Sequence, residues 1–432
     1  MASVDVPVAL LGYGTVGSAV DRLLREQAAD IERATGHRLR VVRALVRDPR
    51  RARDPGAPLT GDFAAIRDDP EVAVVAEVMG GLEPAGEYVL DLLRRGKPVV
   101  TANKQLVARR GAELFAAAAA AGVQLRFEAS VCAAIPVIKV LREALVVSNV
   151  HRVLGIVNGT TNFVLTEMER GASYDEALAE AQRLGFAEAD ATEDVSGADA
   201  AAKMAILATV AFGSRVTPDD VATEGLDRVQ PADVRAAHEL DLVVRLVGAA
   251  TLADGQVDVR VRPALVDRRH PLAAVEGAFN AVMLQGDAIR EITLEGPGAG
   301  GIETASAVVA DLIAVVGTTG TGFLQNDACW RELPRLPEGE TASPFYVRIE
   351  VDDRPGVLAL VALRLAAHGV SVARLVQHQA GTHATLHIVT HEAPEGRLRE
   401  ALAEIDALDE TRAQASALPV VSDRGVAELG WR

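Results

Sequence analysis

From Val6 to Leu11 the chain is continuously apolar; glycine and polar residues then interrupt it at Gly12-Tyr13-Gly14-Thr15-Val16-Gly17, and an amphipathic stretch follows through Ala28. A short apolar run bounded by turn residues predicts a buried strand, and a 3.6-residue period predicts a helix. The pattern recurs. Leu39 to Val46 reads as a second strand, Val72 to Met79 as another ending in Gly80-Gly81, and Pro98 to Val100 as one running into Thr101-Ala102-Asn103-Lys104. Strands alternating with helices predict a parallel α/β sheet. After Arg331 to Ser343, which is polar and linker-like, Phe345 to Val351 alternates as a strand and Val357 to His368 as a helix. Strands near Val370 to Gln377 and Ala384 to Thr390, a helix from Gly396 to Leu408 and a strand at Ala417 to Val421 complete a βαββαβ order.

Composition narrows the function classes. Hydrophobic residues make up 49% and aromatics 3% of the 432 residues, so the cores are aliphatic, and the length predicts several domains. A net charge of −16 disfavours nucleic acid and anionic membranes, which select basic surfaces. Cys132 and Cys329 supply no disulfide framework. The first residues carry no basic leader, and Thr304 to Leu324 is broken by Asp311, glycines and threonines, so neither a signal peptide nor a membrane span is expected. The expected location is the cytoplasm. His378, His383, His387 and His391 match no standard zinc spacing.

Strand, G-x-G-x-x-G and helix in that order predict a dinucleotide site: Gly12 makes the tight turn, Gly14 admits the pyrophosphate and Gly17 permits close helix packing. The second strand exits into Arg47, with Arg50, Arg51 and Arg53 behind it. A basic cluster there suits a 2′-phosphate, so NADP is favoured, with NAD as the alternative. Lys104 stands at a strand's carboxyl end, where open parallel sheets bind ligands.

Of 44 basic residues only Lys97, Lys104, Lys139 and Lys203 are lysines. Arginine keeps its proton near neutral pH, whereas a desolvated lysine can release one. Glu188, Asp190, Glu193 and Asp194 form an acidic loop leading to a helix that begins near Gly197, on which Asp199 and Lys203 are spaced i,i+4. Such a pair is ordinarily an exposed salt bridge. Here Ala200, Ala201, Ala202, Met204, Ala205, Ile206 and Leu207 make the helix apolar almost all round, which marks burial. Two further stretches put polar residues in apolar surroundings. In Arg126 to Pro136, Glu128 is expected to close a strand, and in Gly155 to Asn162 a strand is expected to break into a polar loop.

Taken together, GYGTVG, TANK, FEASVCAAIP, GIVNGTTNFVL, LGFAEADATEDVSGADAAAKMAILA and GPGAGGIETASAVVADL resemble the homoserine dehydrogenase family over nearly the whole chain. The resemblance implies hydride transfer between a nicotinamide and the C4 carbonyl of L-aspartate 4-semialdehyde, in threonine and methionine biosynthesis. Lys203 then matches a catalytic general acid/base, Lys104 a lysine that shares proton transfer, and Glu188, Asp194 and Asp199 carboxylates that hold the substrate amino group directly or through the lysine. Gly159 and Thr160 line the substrate pocket. Gly80, Thr101, Asn103, Gly301 and Thr304 join the glycine loop around the cofactor. Glu128, with the carbonyls of Val131, Ala133 and Ile135, matches a monovalent-cation site such as one for Na⁺, although Ala133-Ala134 stands where the family has glycine.

The implied organisation is a Rossmann-type NADP-binding domain (1–133), an α+β catalytic and dimerisation domain (134–296), a return segment (297–330), a linker (331–343) and a module resembling an ACT domain (344–432). Asp352-Asp353-Arg354-Pro355-Gly356 is the turn that carries the last likeness. It implies L-threonine as effector and a homodimer or homotetramer. Two rivals stay open: an aspartate-semialdehyde dehydrogenase, which would need Cys132 as nucleophile beside a histidine, and a non-enzymatic amino-acid sensor.

Overall fold

The computed structural model describes residues 4–50, 56–317 and 332–421. Arg51, Arg53 and Cys329 lie outside the described residues, as do Thr318 to Leu324 of the apolar stretch that begins at Thr304. By their contacts the residues form two compact units, each discontinuous in sequence. Among the described residues no helix is long and apolar enough to cross a membrane.

The first unit comprises 1–153, 200–221 and 280–333. Its sheet contains β1 (Val4–Leu11), β2 (His37–Leu45), β3 (Leu59–Thr60), β4 (Val74–Glu77), β5 (Val99–Thr101) and β6 (Leu125–Arg126), ordered β3-β2-β1-β4-β5-β6 and parallel throughout. Consecutive parallel strands require crossovers, which the helices Thr15–Glu26, Ala85–Arg94 and Lys104–Ala121 provide. The order reverses at β1, so the crevice at the carboxyl ends of β1 and β4 is the place for a nucleotide. Late in sequence, the helix Gly301–Gly317 returns here. Ala305, Val308 and Leu312 are buried in one cluster with Val8, Leu10 and Val74.

The second unit comprises 154–199, 222–279 and 334–432. The long strands Leu242–Ala253 and Gln256–Asp267 pair antiparallel across the turn at Asp254-Gly255. The C-terminal module is βαββαβ: strand Phe345–Asp352, helix Val357–Ala367, strands Val372–Ala380 and His383–Thr390, helix Glu395–Asp406, strand Thr411–Val421. Its sheet joins Gln256–Asp267 through two parallel pairs, Leu265 with Val420 and Val266 with Val421. The linker is not free chain, because the Val257 N–H donates to Pro334 and the Leu336 N–H to Val257.

Charge also ties the module down. Glu395, in the first turn of Glu395–Asp406, accepts from Arg260 at 2.5 Å and Arg262 at 2.7 Å, and all three are buried. Arg348 reaches Asp233 at 2.9 Å and Gln230 at 3.0 Å. Removing one partner of a buried ion pair leaves an unanswered charge, worth about 3–5 kcal/mol. Arg260 keeps Asp258 at 2.9 Å, so Glu395→Ala strands chiefly Arg262 and is expected to lower stability by about 3 kcal/mol in urea denaturation, whereas an unchanged midpoint would mean that water reaches Arg262.

Candidate active site

In the first unit, Gly12 has a φ of +105°, and a Cβ there would lie 2.9 Å from the Val78 carbonyl. A Cβ on Gly17 would meet the Gly12 carbonyl at 2.3 Å, while one on Gly14 would face open space. So Gly12 and Gly17 are demanded by packing, and Gly14 leaves room for a ligand against bare backbone. Tyr13 turns its ring into the core, where its hydroxyl donates to Asp21, and the Gly56 N–H donates to both. What Tyr13 and Val16 offer the loop is main chain. Gly301 completes this wall: a Cβ there would stand 2.8 Å from the Thr15 methyl, and Thr304 lies one turn further along that helix. At the end of β2 the Gly12 N–H donates to Leu45, so the exposed Arg47 follows directly beside the loop.

One buried acid went unremarked in the sequence. Glu77, at the end of β4, accepts from the N–H groups of Met79 at 2.8 Å and Gly80 at 3.2 Å and from the Thr101 hydroxyl at 2.6 Å. Burial raises its pKa, and those hydrogen bonds pull it back. Asn103 caps the helix Lys104–Ala121 by accepting from Leu106, and its amide donates to Gly81. Glu77 and Asn103 thus knit the Gly80-Gly81 turn to the TANK turn and set where the half-buried Lys104 begins its helix. A lone acid at the end of an apolar strand was the available signal.

Lys203 sits at 9% exposure on the helix Ala198–Phe212, and Asp199 at 3% one turn earlier. Two other lysines are engaged elsewhere. Lys97 donates to the carbonyls of Asp69 and Val72, and Lys139 lies 3.7 Å from Asp311.

Glu128 does not close a strand. It opens a 3₁₀ turn, Glu128–Ser130, because β6 ends at Arg126. Its carboxylate accepts from the N–H groups of Ile138 and Lys139, both at 2.8 Å, and Asp311 accepts from its own N–H. Burial, then the neighbouring Asp311, push its pKa up to about 7. Between them, Cys132 and Ala133 take left-handed φ values of +53° and +40°, the conformation glycine adopts freely. That bends the loop Val131, Ala133 and Ile135 share. The groups that the resemblance implies are all oxygen, one of them a buried carboxylate, which is chemistry suited to a hard cation.

In the second unit, Gly159-Thr160-Thr161-Asn162 is the first turn of the helix Gly159–Glu169 and not a loop, because Asn158 caps it. A Cβ on Gly159 would fall 2.5 Å from the Ala278 carbonyl, so only glycine fits. Thr160 donates to the Phe186 carbonyl at 2.6 Å, tying this turn to the base of the acidic loop. The Asn158 amide donates to Asp194 at 2.7 Å and Asp199 at 2.8 Å. Glu188 stands exposed on the loop, its carbonyl 3.3 Å from the Gln182 amide.

A switch-point crevice, a glycine loop and buried acid/base groups define a nicotinamide-nucleotide oxidoreductase. Family models agree: "Homoserine dehydrogenase, NAD binding domain" matches 12–128, "Homoserine dehydrogenase" 136–313 and "ACT domain" 345–410. The homoserine dehydrogenase of Mycobacterium tuberculosis is 44% identical over 96% of this chain and 97% of its own, and that of Corynebacterium glutamicum 43% over 91% and 90%. The crystal structure of a homoserine dehydrogenase from Thiobacillus denitrificans superposes with a TM-score of 0.92 at 40% identity, covering 98% of this chain and 99% of that one. A hyperthermophilic archaeal homoserine dehydrogenase in complex with NADPH matches at 29% identity and a TM-score of 0.63, over 72% of this chain and 98% of that one. The chain belongs to the homoserine dehydrogenase family.

Glu128 makes a pH prediction. With its folded pKa near 7 against an ordinary 4.5, the native state holds more protons than the unfolded state between those values. The stability it contributes is full below about 4.5 and lost as pH rises through about 7, roughly 3 kcal/mol in all. Urea titrations from pH 4.5 to 8 are expected to show that slope in the wild type and a flatter one in Glu128→Gln. Equal slopes would reject it.

Proposed function

We propose that the chain catalyses the reversible reduction of L-aspartate 4-semialdehyde to L-homoserine in the cytoplasm, prefers NADP, and is inhibited by L-threonine. The observation that carries this reading is the helix Ala198–Phe212, on which Asp199 and Lys203 are both buried one turn apart. A sensor with an idle nucleotide fold has no use for a desolvated amine. A dehydrogenase that uses a thiol needs its nucleophile open to substrate, whereas Cys132 is buried at 1% exposure, and the family match also favours the alcohol chemistry.

Lys203 donates a proton to the C4 oxygen as the carbonyl is reduced and removes it in the reverse direction, with Lys104 sharing that role. Asp199 lies one turn from the amine on the same helix. Asp194, Asp199 and Glu188 receive the substrate ammonium, and Gly159 and Thr160 form the wall beside it. Gly12 to Gly17, Gly80, Thr101, Asn103, Gly301 and Thr304 hold the dinucleotide, which supplies or takes the hydride when bound. Arg47 and Arg50, exposed past β2, suit a 2′-phosphate. Glu128 with the carbonyls of Val131, Ala133 and Ile135 holds a monovalent cation such as Na⁺, which would steady the turn before Val137. The chain acts as a homodimer or homotetramer, with domains divided as the family resemblance implies.

For threonine, the support is a cavity of about 330 Å³ at Asp353-Arg354-Pro355-Gly356, lined also by Gln377 and Leu386. Among the described residues no side chain caps the helix Val357–Ala367, so first-turn N–H groups beyond Val357, which donates to Arg354, can face a carboxylate. Gln377 and Gln379 hold Asp353, which can take an ammonium.

The decisive measurement follows NADP⁺ reduction with L-homoserine. Lys203→Ala is expected to lower kcat by about 10²–10⁴-fold, the usual worth of general acid–base catalysis, with cofactor binding kept. No homoserine-dependent reduction by folded wild type would overturn the assignment. Arg47→Ala is expected to narrow the kcat/KM ratio of NADP to NAD; equal wild-type values would remove the NADP preference. Threonine is expected to inhibit the wild type but not Asp353→Ala, and insensitivity of the wild type would refute the effector reading.

A further inference from the structure

Asn158 does more than cap a helix. It is buried, and its side-chain oxygen accepts from the Thr161 N–H at 2.8 Å and the Thr161 hydroxyl at 2.9 Å. Those donors fix which end of the amide is oxygen, since the flipped amide would set N–H against N–H and carbonyl against carboxylates. The nitrogen then spends its two hydrogens on Asp194 Oδ1 and Asp199 Oδ2. Capping a helix needs only the oxygen, which serine, threonine or aspartate supplies equally. The nitrogen is surplus to that task.

Two carboxylate oxygens bound to one planar nitrogen stand roughly 5 Å apart, given ordinary hydrogen-bond lengths. One acid comes from the short helix Thr192–Val195 and the other from the start of Ala198–Phe212; the turn between them is held through its main chain, where the Gly197 N–H donates to the Asp194 carbonyl, and the Asn158 amide joins the two side-chain carboxylates. The amide is neutral and adds no positive charge of its own. We infer that Asn158 is a positioning residue that sets Asp194 and Asp199 as a pair of acceptors for the primary ammonium of the substrate. An ammonium has three N–H donors and can engage both carboxylates at once. This rests on the amino-alcohol substrate proposed above.

The test uses the full chain and compares L-homoserine with 4-hydroxybutyrate, the same skeleton without the amine, as a competitive inhibitor. Asn158→Ser keeps a cap oxygen but has one hydrogen to give. It is expected to raise the KM for homoserine about tenfold or more, the scale of a lost hydrogen bond to a charged group. The Ki of 4-hydroxybutyrate and the KM of the cofactor should stay unchanged, and kcat should move less than KM. Asn158→Thr, which also keeps a cap oxygen and loses the amide hydrogens, should reproduce the pattern and provides the test if Asn158→Ser does not fold. A wild-type homoserine KM in Asn158→Ser, or equal weakening of both ligands, would overturn the inference while leaving the proposed reaction standing. A wild type that does not oxidise homoserine would instead remove the reading on which it rests.

Discussion

Taking a carboxylate out of water costs several kcal/mol unless donors replace its hydration, and this chain holds buried acids wherever its turns must stay in place. Glu77 draws two N–H groups and a hydroxyl around itself at the end of β4. Glu128 takes two N–H groups before a helix, and Asp311 takes the N–H of Glu128. In each case the acid takes the N–H groups of a turn or a helix start. A turn so held cannot drift without stranding a charge, which gives the surrounding loops a defined shape despite cores made of alanine, valine and leucine.

The same rule explains the division between lysine and arginine. Arg260 and Arg262 can lie buried against Glu395 because a guanidinium keeps its proton and offers several donors in one plane. Lys97, which donates to two carbonyls, has its pKa lowered, chiefly by burial. Positions that need permanent charge carry arginine. Lys203, buried on its apolar helix, is an amine whose setting suits the proton transfer proposed for it.

Much of this was legible along the chain because period and punctuation are local. The parallel sheet, the glycine turn and the βαββαβ order appear where apolar runs and turn residues put them, and the enclosure of Asp199–Lys203 follows from the alanines around them. Glu128 and Asn158 were harder to read. Glu128 was expected at a strand's end, but pairing with β5 stops at Arg126, so the acid enters a 3₁₀ turn. The polar run at Gly159 suggested a loop, yet one capping side chain turned it into a helix start.

By itself the sequence determined the order of elements, the nucleotide loop and the catalytic candidates, since each depends on neighbours within a few positions. Tertiary structure alone decided which distant groups meet. It put Glu77 beside Thr101, Gly301 beside Thr15 and Asn158 between Asp194 and Asp199, because contacts across tens to hundreds of residues follow from how sheets and helices pack, which no periodicity records.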